Sequence, residues 1–471
     1  ATTVYLLTAE PTVPWWDCGE YTATADKLQV GHPPGAPTFQ LIGSLFSIFA
    51  GSDTSLVAYA MNAMSAICSG FTILFLVWTI TMLAKKLVKN KEEMTLGQMI
   101  AIFASGVVGS LAYTFSDTFW YSAVESEVYA MSSCFTAISF WAILKWEAEA
   151  DDKHNLRWLI LIAFLIGISI GVHLLNLLAI PAITYVFYFK KYPNVEKNKK
   201  RNFILVGIIS MLLVAIILYF IVPYIVIFAG KFEIFFTNSI GLPFNTGTIV
   251  YFALLIGLLV WGVWYSIKKQ KVILNTALLS VLFILIGYTT FFVLVIRSNA
   301  NTPINENAPK DATALLTYLN REQYGYTPLF HGQYYNAMVV DQQESSSKYI
   351  KDKESGKYIE VKQRGKLVYE SDKTTIFPRM WSNDESRNHP TYYKMWAGID
   401  ENSDRKPTFA ENLTYFFRYQ VNHMYWRYFM WNFAGRQNDI QSHGLNLSGN
   451  EPTNVSNGTK DLLHGNWITG I

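Results

Sequence analysis

Long apolar runs fill the first 300 residues of this 471-residue chain, and they constrain its fold more than any other feature. A helix that crosses a bilayer needs about 20 apolar residues. The runs of sufficient length are 56–84, 97–115, 122–146, 156–189, 203–228, 249–267 and 273–296. Only 15% of the residues are charged, against about 25% in ordinary soluble chains. The sequence therefore predicts a polytopic α-helical membrane protein.

Basic residues between these runs predict the orientation of the helices. Three connecting segments carry four, six and three Lys/Arg residues: 85–91, 190–201 and 268–271. The loops 8–35 and 229–248 carry one each. By the positive-inside rule the three basic segments are cytoplasmic, and so is the acidic 145–157 loop, because acidic residues count little. Alternation then requires 156–189 to cross twice, as a hairpin that turns near Gly171–Asn176 on the outer side.

The last 170 residues read as polar and aromatic globular sequence. We expect a transmembrane domain at 1–296, made of the end of a first span and about eight further spans. An outer domain at 297–471 follows an outward-going span. Strand-like runs at 358–361 and 366–370, with a helix-like run at 310–322, predict a mixed α/β module there.

Two other segments suit the membrane surface. The apolar stretch 37–50 is too short for a span and is interpreted as a re-entrant or interfacial helix. The stretch 411–433 holds ten aromatic residues together with charges, which favours an amphipathic helix at headgroup depth. The chain opens on 1–7 like the last turns of a span, so we expect it to be a fragment of a longer protein.

Two carboxylates in the first outer loop are candidates for proton transfer. Asp17 and Glu20 are three residues apart, which places them on the same side of a helical turn. They follow Trp15 and Trp16 and lie next to an apolar membrane surface. A partly desolvated carboxylate is a better proton acceptor. The alternative is a surface loop in which Asp17 merely caps a short helix.

Three more titratable residues are predicted on the same outer face. Glu125 and Glu127 lie at the mouth of a span, where an ionisable group is functional, paired or simply solvated at the water boundary. His173 lies at the tip of the apolar hairpin, as a ligand or as a hydrogen-bonded packing residue. These groups and the first-loop carboxylates would share one vestibule.

Composition and motifs exclude several classes of protein. A net charge of +3 provides no basic field for DNA or RNA. Three scattered cysteines are too few for a disulfide framework. The sequence has no HExxH, CxxC, phosphate-cradling glycine loop or nucleophile elbow. Asp17, Glu20 and Glu125 could together bind a metal, but their spacing is not diagnostic of a metal site, so we predict neither a metal nor another resident cofactor.

Four segments together resemble one family of large bacterial membrane proteins, widespread in Bacteroidetes. They are WWDCGEYTATADKLQVGHPPGAP at 15–37, FWYSAVESEVYAMSS at 119–133, NREQYG at 320–325 and MYWRYFMWNFAGRQND at 424–439. The family has an animal relative that is a protein O-mannosyltransferase. Both are similar to the GT-C superfamily of polyprenyl-phosphate-sugar-dependent glycosyltransferases. The resemblance covers essentially the whole chain.

The resemblance implies an inverting glycosyltransferase that works on the periplasmic face of the bacterial inner membrane. In GT-C enzymes an acidic residue of the first outer loop is the general base, a role that would fall to Asp17 with Glu20 beside it. The donor would be a polyprenyl-phosphate sugar from the bilayer, with mannose expected. The acceptor would be Ser/Thr of exported proteins. Relatives that use such monosaccharide donors generally work without a metal.

Substrate binding is expected from the remaining polar groups. The phosphate of the donor needs cationic or dipolar partners, for which His32 and Arg297 are the candidates by position. An ordinary headgroup anchor is the alternative for Arg297. Glu125, Glu127 and His173 complete the predicted substrate-binding set.

Two other functions stay open. The same site would serve a glycosyltransferase that acts on a lipid or a surface polysaccharide. A non-catalytic subunit of a membrane export assembly is also possible, with the aromatic helix as a docking surface. A transporter is disfavoured, because no predicted span carries a buried charge at mid-depth.

Overall fold

The chain folds into two compact units. The computed structural model describes residues 1–88, 93–192, 198–325, 327–343, 347–362 and 365–436. The first unit comprises residues 1–323 and 349–360, and the second comprises 324–348 and the residues from 361 onwards. The first unit thus extends past residue 296, because the segment that follows pairs with the first loop: the Val30 N–H donates to the Ile304 carbonyl at 3.1 Å. The assignment of the two parts to the membrane and to the outer side stays a prediction.

Six helical segments of the described residues are long and apolar enough to cross a membrane. They are Thr54–Lys86, Leu96–Thr114, Val128–Ala148, Lys199–Ser239, Thr246–Lys268 and Val272–Asn299. The predicted fold class is confirmed in this respect: the protein is mostly helical and multi-pass, with a small strand-containing C-terminal unit. About eight further spans are expected from the sequence, which is more than the six found among the described residues. The difference arises because the two arms of the 156–191 segment are too short to be counted as spans.

The helices of the first unit follow one another with short connections. They are α1 Thr2–Leu7, α2 Cys18–Asp26, α3 Pro37–Ser47, α4 Val57–Lys86, α5 Leu96–Thr114, α6 Asp117–Ala123, α7 Val128–Ala148, α8 Leu156–Ile170, α9 Ala179–Lys191, α10 Lys199–Ile216, α11 Val222–Ile234, α12 Thr246–Lys268, α13 Val272–Tyr288, α14 Phe292–Asn299 and α15 Ala312–Leu319. One π-helical turn, Ile217–Ile221, joins α10 to α11, and another, Phe235–Ser239, extends α11. The helix expected at 310–322 is therefore present as α15.

The predicted hairpin turns where the sequence places it. Helix α8 has 15 residues and α9 has 13, both short of the roughly 20 residues that a perpendicular span needs. The His173 ring lies 5.5 Å from the ring of Tyr129, at the start of α7. At the other end, Lys190 pairs with Asp151 at 3.1 Å. The turn therefore lies at the end of α7 where Glu125 and Glu127 are found.

Ion pairs place residues of two basic segments, Lys86 and Lys190, at the opposite end of α7. Lys86, at the end of α4, pairs with Glu147, and Glu147 lies in the last turn of α7. Helix α7 has 21 residues, which corresponds to a length of about 32 Å. The acidic 145–157 loop thus lies with the basic residues that end α4 and α9, as the charge argument requires. Lys89, Lys91 and Lys197 lie outside the described residues.

Helices α8 and α13 cross at a pair of glycines. An added Cβ at Gly167 would lie 2.4 Å from the carbonyl oxygen of Ile284, and one at Gly287 would lie 2.3 Å from the nitrogen of Ile168. The two backbones therefore touch without intervening side chains, as in the small-residue contacts of membrane helices. This crossing supports α3, because Thr38 at its start donates to the Ile168 carbonyl at 3.0 Å.

Many large apolar side chains of the long helices point outward. Phe103 of α5 is 68% exposed, and Leu258 and Trp261 of α12 are 65% and 59% exposed. A water-soluble surface rarely carries contiguous apolar patches of this kind, so they fit contact with lipid.

One carboxylate lies buried inside a long apolar segment. Glu233 is completely buried, beyond the predicted span 203–228 but within Lys199–Ser239. It accepts hydrogen bonds from the backbone N–H of Asn245 at 2.5 Å and of Thr248 at 2.9 Å. It also accepts from the Tyr358 hydroxyl at 3.3 Å. The buried carboxyl group thus caps the start of α12.

In the part of the chain that the structure describes, the strands form three two-stranded sheets. They are β1 His331–Gln333, β2 Val339–Gln342, β3 Ser347–Asp352, β4 Lys357–Lys362, β5 Leu367–Tyr369 and β6 Thr374–Ile376. β1 pairs with β6 and β2 with β5, both antiparallel, and β3 pairs with β4. Strand β4 fulfils the expectation of a strand near 358–361, and β5 fulfils that of a strand near 366–370.

The second unit ends its described part in an aromatic helix. Helix α16 spans His389–Ala397, and a continuous helical segment follows: α17 Phe409–Tyr415, a π-helical stretch Phe416–Trp426 and α18 Arg427–Ala434. The predicted helix at 411–433 is present, and its position at a membrane surface stays a prediction. Residues 437–471 of the predicted outer domain lie outside the described residues.

Candidate active site

The first loop, 8–35, contains the short helix α2, and both predicted carboxylates lie at the start of that helix. Asp17 occupies the N-cap position of α2, yet its side chain makes no capping hydrogen bond. That side chain is 57% exposed. Trp16 before it has a left-handed backbone (φ 61°), which is uncommon for a bulky residue and marks a sharply constrained turn. The structure therefore does not support the alternative in which the Asp17 carboxylate merely caps a short helix.

Glu20 is tied to His32. The His32 Nδ1 lies 3.1 Å from each carboxylate oxygen of Glu20. The backbone N–H of His32 also donates to Glu20 Oε1 at 2.5 Å. Burial raises the pKa of the Glu20 carboxyl, but the hydrogen bonds from His32 outweigh it, so that this pKa lies below its usual value. The hydrogen bond with Glu20 likewise raises the pKa of His32.

His32 also faces Asp17. Its Nε2 lies 3.9 Å from Asp17 Oδ2, and the ring of Tyr21 lies 5.6 Å from the imidazole. The imidazole is thus placed between two carboxylates of one helix. The three side chains form a compact polar group at the end of α2 where the first loop arrives.

The loop that carries His32 is held by residues far along the chain. The Tyr318 hydroxyl donates to the Gly31 carbonyl at 2.6 Å. A Cβ at Gly31 would lie 2.4 Å from Glu20 Oε1, so only glycine leaves room for that carboxylate. Tyr318 and Gly31 therefore help to hold His32 and Glu20 in place, a role that sequence reasoning assigned to neither residue. Tyr318 lies just before the NREQYG segment, which was the available signal.

Glu125 and Glu127 lie in the turn between α6 and α7, and both are buried. The Cys18 thiol, next to Asp17, lies 3.9 Å from Glu125 Oε2. Thr22 and Ser126 share a hydrogen bond of 3.0 Å between their hydroxyls. These contacts join the turn directly to α2. The two glutamates are therefore not merely solvated at the water boundary.

Burial raises the pKa of both glutamates. It raises the pKa of Glu125 to about 7, with the charge of Glu127 adding to the effect. It also raises the pKa of Glu127, although the backbone N–H of Val128 donates to that carboxylate at 3.2 Å. Near neutral pH the turn thus holds a carboxyl group that exchanges protons readily.

His173 lies on the same side, beside Tyr129, but its hydrogen bond is local. Its Nδ1 accepts from the backbone N–H of Leu175 at 3.2 Å, which caps the short 3₁₀ helix Leu174–Leu178. Burial lowers the pKa of this imidazole, and the charge of Arg321 adds to the effect. These contacts fit the second of the two alternatives, a hydrogen-bonded packing residue. The role of His173 in substrate binding stays a prediction.

Arg297 lies at the far end of α2. Its guanidinium donates to the backbone carbonyls of Leu28 and Lys27, the latter at 3.0 Å. Helix α2 has nine residues, so this contact lies about 13 Å along the helix from Asp17. The structure thus brings Asp17, Glu20, His32, Glu125 and Glu127 together and places Arg297 at the other end of the helix. Arg297 fastens the helix end there, where backbone carbonyls favour a cation.

In the described part of the chain, no group of three or more His, Cys, Asp or Glu side chains has the arrangement to hold a metal ion. The carboxylates of the group instead contact an imidazole, a thiol and backbone N–H groups. Its chemical capacity is that of proton transfer.

Comparisons with known proteins point to one enzyme family. Residues 17–196 match the family described as "Protein O-mannosyl-transferase TMEM260 N-terminal domain". Residues 325–417 match a family of unknown function, DUF8416. No solved structure shows significant similarity to the chain. The first match begins at Asp17 and includes every predicted site residue except Arg297.

Two curated relatives carry the same name. The protein O-mannosyl-transferase tmem260 of Dictyostelium discoideum is 28% identical over 137 residues, which are 29% of this chain and 15% of the relative. The protein O-mannosyl-transferase TMEM260 of Mus musculus is 24% identical over 168 residues, 36% of this chain and 21% of the relative. The chain thus matches only a small part of each relative's length. These similarities support the predicted relation to protein O-mannosyltransferases over the first part of the chain.

Proposed function

We propose that this chain is part of a membrane glycosyltransferase that moves mannose from a polyprenyl-phosphate donor to Ser/Thr hydroxyls of exported proteins. The observation that carries the proposal is the coincidence of the matched segment 17–196 with the polar group at the end of α2. That group contains an exposed carboxylate, Asp17, on a short helix held against the membrane bundle. The relatives' names supply the sugar and the protein acceptor.

Asp17 is the general base in this proposal. An acceptor hydroxyl is a poor nucleophile until a carboxylate within hydrogen-bond reach takes its proton. Asp17 is accessible to an acceptor, because its side chain is 57% exposed and makes no capping bond to its own helix. The partial desolvation expected from its sequence neighbours is not found. The leaving group is a phosphate, which departs without protonation. The protein's contribution is therefore mainly to position the two substrates and to remove one proton.

The proposed donor arrives sideways from the bilayer. The apolar outer surfaces of the long helices suit contact with a polyprenyl chain. We place the reaction on the periplasmic side of a bacterial inner membrane, because Lys86 and Lys190, from two of the basic segments, lie at the opposite end of α7. Neither a metal nor another resident cofactor is part of the mechanism.

Replacement of Asp17 by Asn tests the proposal in cells. We expect loss of O-mannosylation of exported proteins, by a factor of about 10²–10⁴ in turnover if Asp17 is the base. Glycoproteomics of the exported fraction measures it. Asp26→Asn, at the other end of the same helix, is the control and should glycosylate like the wild type.

The alternatives give different results in the same strains. If the deletion strain loses sugar from a lipid or a surface polysaccharide and keeps its glycoproteins, the acceptor is not protein. A stably expressed Asp17→Asn variant with wild-type glycosylation would remove the assigned base. Co-purification with export components, without any turnover that depends on Asp17, would favour a structural subunit.

A further inference from the structure

The imidazole of His32 has one nitrogen for each of two carboxylates. Its Nδ1 lies 3.1 Å from both oxygens of Glu20, which accept hydrogen bonds only. The neutral ring therefore carries its proton on Nδ1, and its Nε2 is an acceptor. That Nε2 faces Asp17 Oδ2 at 3.9 Å. A carboxylate that orients an imidazole, with the second nitrogen toward a reacting group, is the arrangement of a proton-accepting histidine.

We propose that Glu20 and His32 are positioning residues that remove the proton from Asp17 after each transfer, an assignment that rests on the proposed function. In the transfer, the acceptor oxygen bonds to the anomeric carbon and its proton goes to Asp17. The bond from that carbon to the phosphate oxygen breaks, and its electron pair leaves with the phosphate. The proton then passes from Asp17 to Nε2 of His32, which restores the Asp17 carboxylate. The imidazolium finally releases the proton to water.

The distance between the two groups is compatible with this step. A separation of 3.9 Å exceeds a hydrogen bond, which needs about 3.2 Å or less between nitrogen and oxygen. Asp17 is largely exposed and has no capping bond, so a rotation of its side chain closes the gap. Catalytic hydrogen bonds are often long until the substrate is bound.

The surroundings of His32 favour its charged form. Asp17 and Glu20 face it from α2, and Glu306 faces it from the segment after α14. Glu127 acts on it from the start of α7. The hydrogen bond with Glu20 is the largest contribution that raises the pKa of His32, and burial opposes it. A proton delivered to Nε2 is therefore well stabilised.

The same surroundings argue against His32 as a ligand of the donor's phosphate. A phosphate near four carboxylates is repelled at close range. In the neutral ring the one nitrogen with a proton is committed to Glu20, and Nε2 is left for the relay to Asp17. Only the charged ring could donate from Nε2 to a phosphate, and its charge is already balanced by Glu20 and Asp17.

Kinetics as a function of pH test the proposal with purified protein, a polyprenyl-phosphate mannose and a Ser/Thr peptide. His32 must be neutral to accept a proton, so wild-type kcat should rise as pH increases through the raised pKa of His32. Glu20→Gln removes the main cause of that shift. Its acid limb should move to lower pH while the plateau of kcat falls about tenfold or more. In His32→Asn the limb should disappear, with KM for the donor unchanged, and added imidazole should restore part of kcat.

The opposite kinetic pattern would overturn the relay. It consists of a raised donor KM with unchanged kcat and an unmoved acid limb in both variants, as a phosphate ligand would give. Asp26→Asn is the matched control and should keep the wild-type profile. If Asp17→Asn is fully active, the proposed function fails instead, so the two failures are distinguishable.

If the variants fold poorly, a measurement on the wild-type protein that needs no turnover still tests the relay. Nitrogen-15 chemical shifts of labelled histidine in the wild-type protein report which ring nitrogen carries the proton and at which pH His32 titrates. The relay requires protonated Nδ1 in the neutral ring and a pKa above the ordinary value. An Nε2-protonated neutral ring, or a pKa below that value, would contradict it.

Discussion

At the scale of single residues, environment separates carboxylates that the sequence shows as alike. Asp17 is exposed and uncapped, Glu20 is bonded to an imidazole, and Glu125 is buried against a thiol. The sequence could indicate the acids, because they flank apolar runs. It could not show the contact of Glu20 with His32, since that contact depends on the hydroxyl of Tyr318, 287 residues from the Gly31 carbonyl that it binds.

The buried Glu125 predicts how stability depends on pH. Burial raises the pKa of this carboxyl from 4.5 to about 7, so the folded protein binds a proton that the unfolded chain releases. Stability therefore falls as pH increases from about 4.5 to 7, because ionisation is disfavoured only in the folded state. Glu125→Gln should remove this loss. At pH 8 the variant should be more stable than wild type, on the order of 2 kcal/mol, and at pH 4 nearly equal.

Thermal unfolding in detergent at the two pH values measures the difference. Glu354→Gln changes an exposed glutamate of the same unit and should leave stability unchanged at both pH values. A Glu125→Gln variant that changes stability equally at both pH values would show that the pKa of this carboxyl is the same in the folded and unfolded protein.

At the scale of elements, apolar length predicted the long helices and misjudged the short ones. Six of the predicted spans have helices of sufficient length among the described residues. The two arms around Gly171 do not, because the turn that holds Gly171, His173 and Asn176 interrupts the 156–189 run. The close packing of α8 on α13 was not predictable, since a glycine in an apolar run gives no indication of its partner helix.

The glycine crossing should be intolerant of a single methyl group. Gly167→Ala would place a Cβ 2.4 Å from the Ile284 carbonyl oxygen, which is backbone and cannot rotate away. We expect a loss of about 1–3 kcal/mol in the free energy of unfolding. Gly257→Ala is the control, because an added Cβ there meets nothing within 4 Å. A thermal shift that is the same for both variants would contradict the crossing.

At the scale of the whole molecule, charge predicted which ends of the helices lie together. The sequence established the membrane class and the small strand-containing unit. The extent of the first unit could not be predicted, because residues 297–323 join it through pairing with the first loop rather than through hydropathy. Which end of the bundle faces the cytoplasm remains a prediction from the positive-inside rule.

Labelling of single cysteines tests that orientation in intact cells. Trp15, 76% exposed near Asp17, and Asp152, exposed in the loop beside the basic end, are each replaced by Cys. A membrane-impermeant maleimide should label Trp15→Cys from outside the inner membrane and Asp152→Cys only after lysis, with the unsubstituted protein as background. The reverse pattern would place the candidate site in the cytoplasm.

The most direct measurement of the central claim is mannose transfer by purified protein in lipid vesicles. Radiolabelled polyprenyl-phosphate mannose and a Ser/Thr peptide are supplied on the side of Asp17, without added metal. The account predicts mannosylated peptide from wild type and Asp26→Asn, and a loss of about 10²-fold or more in Asp17→Asn. Equal transfer by the Asp17→Asn variant, or a wild-type protein that binds the donor and never transfers its sugar, would contradict it.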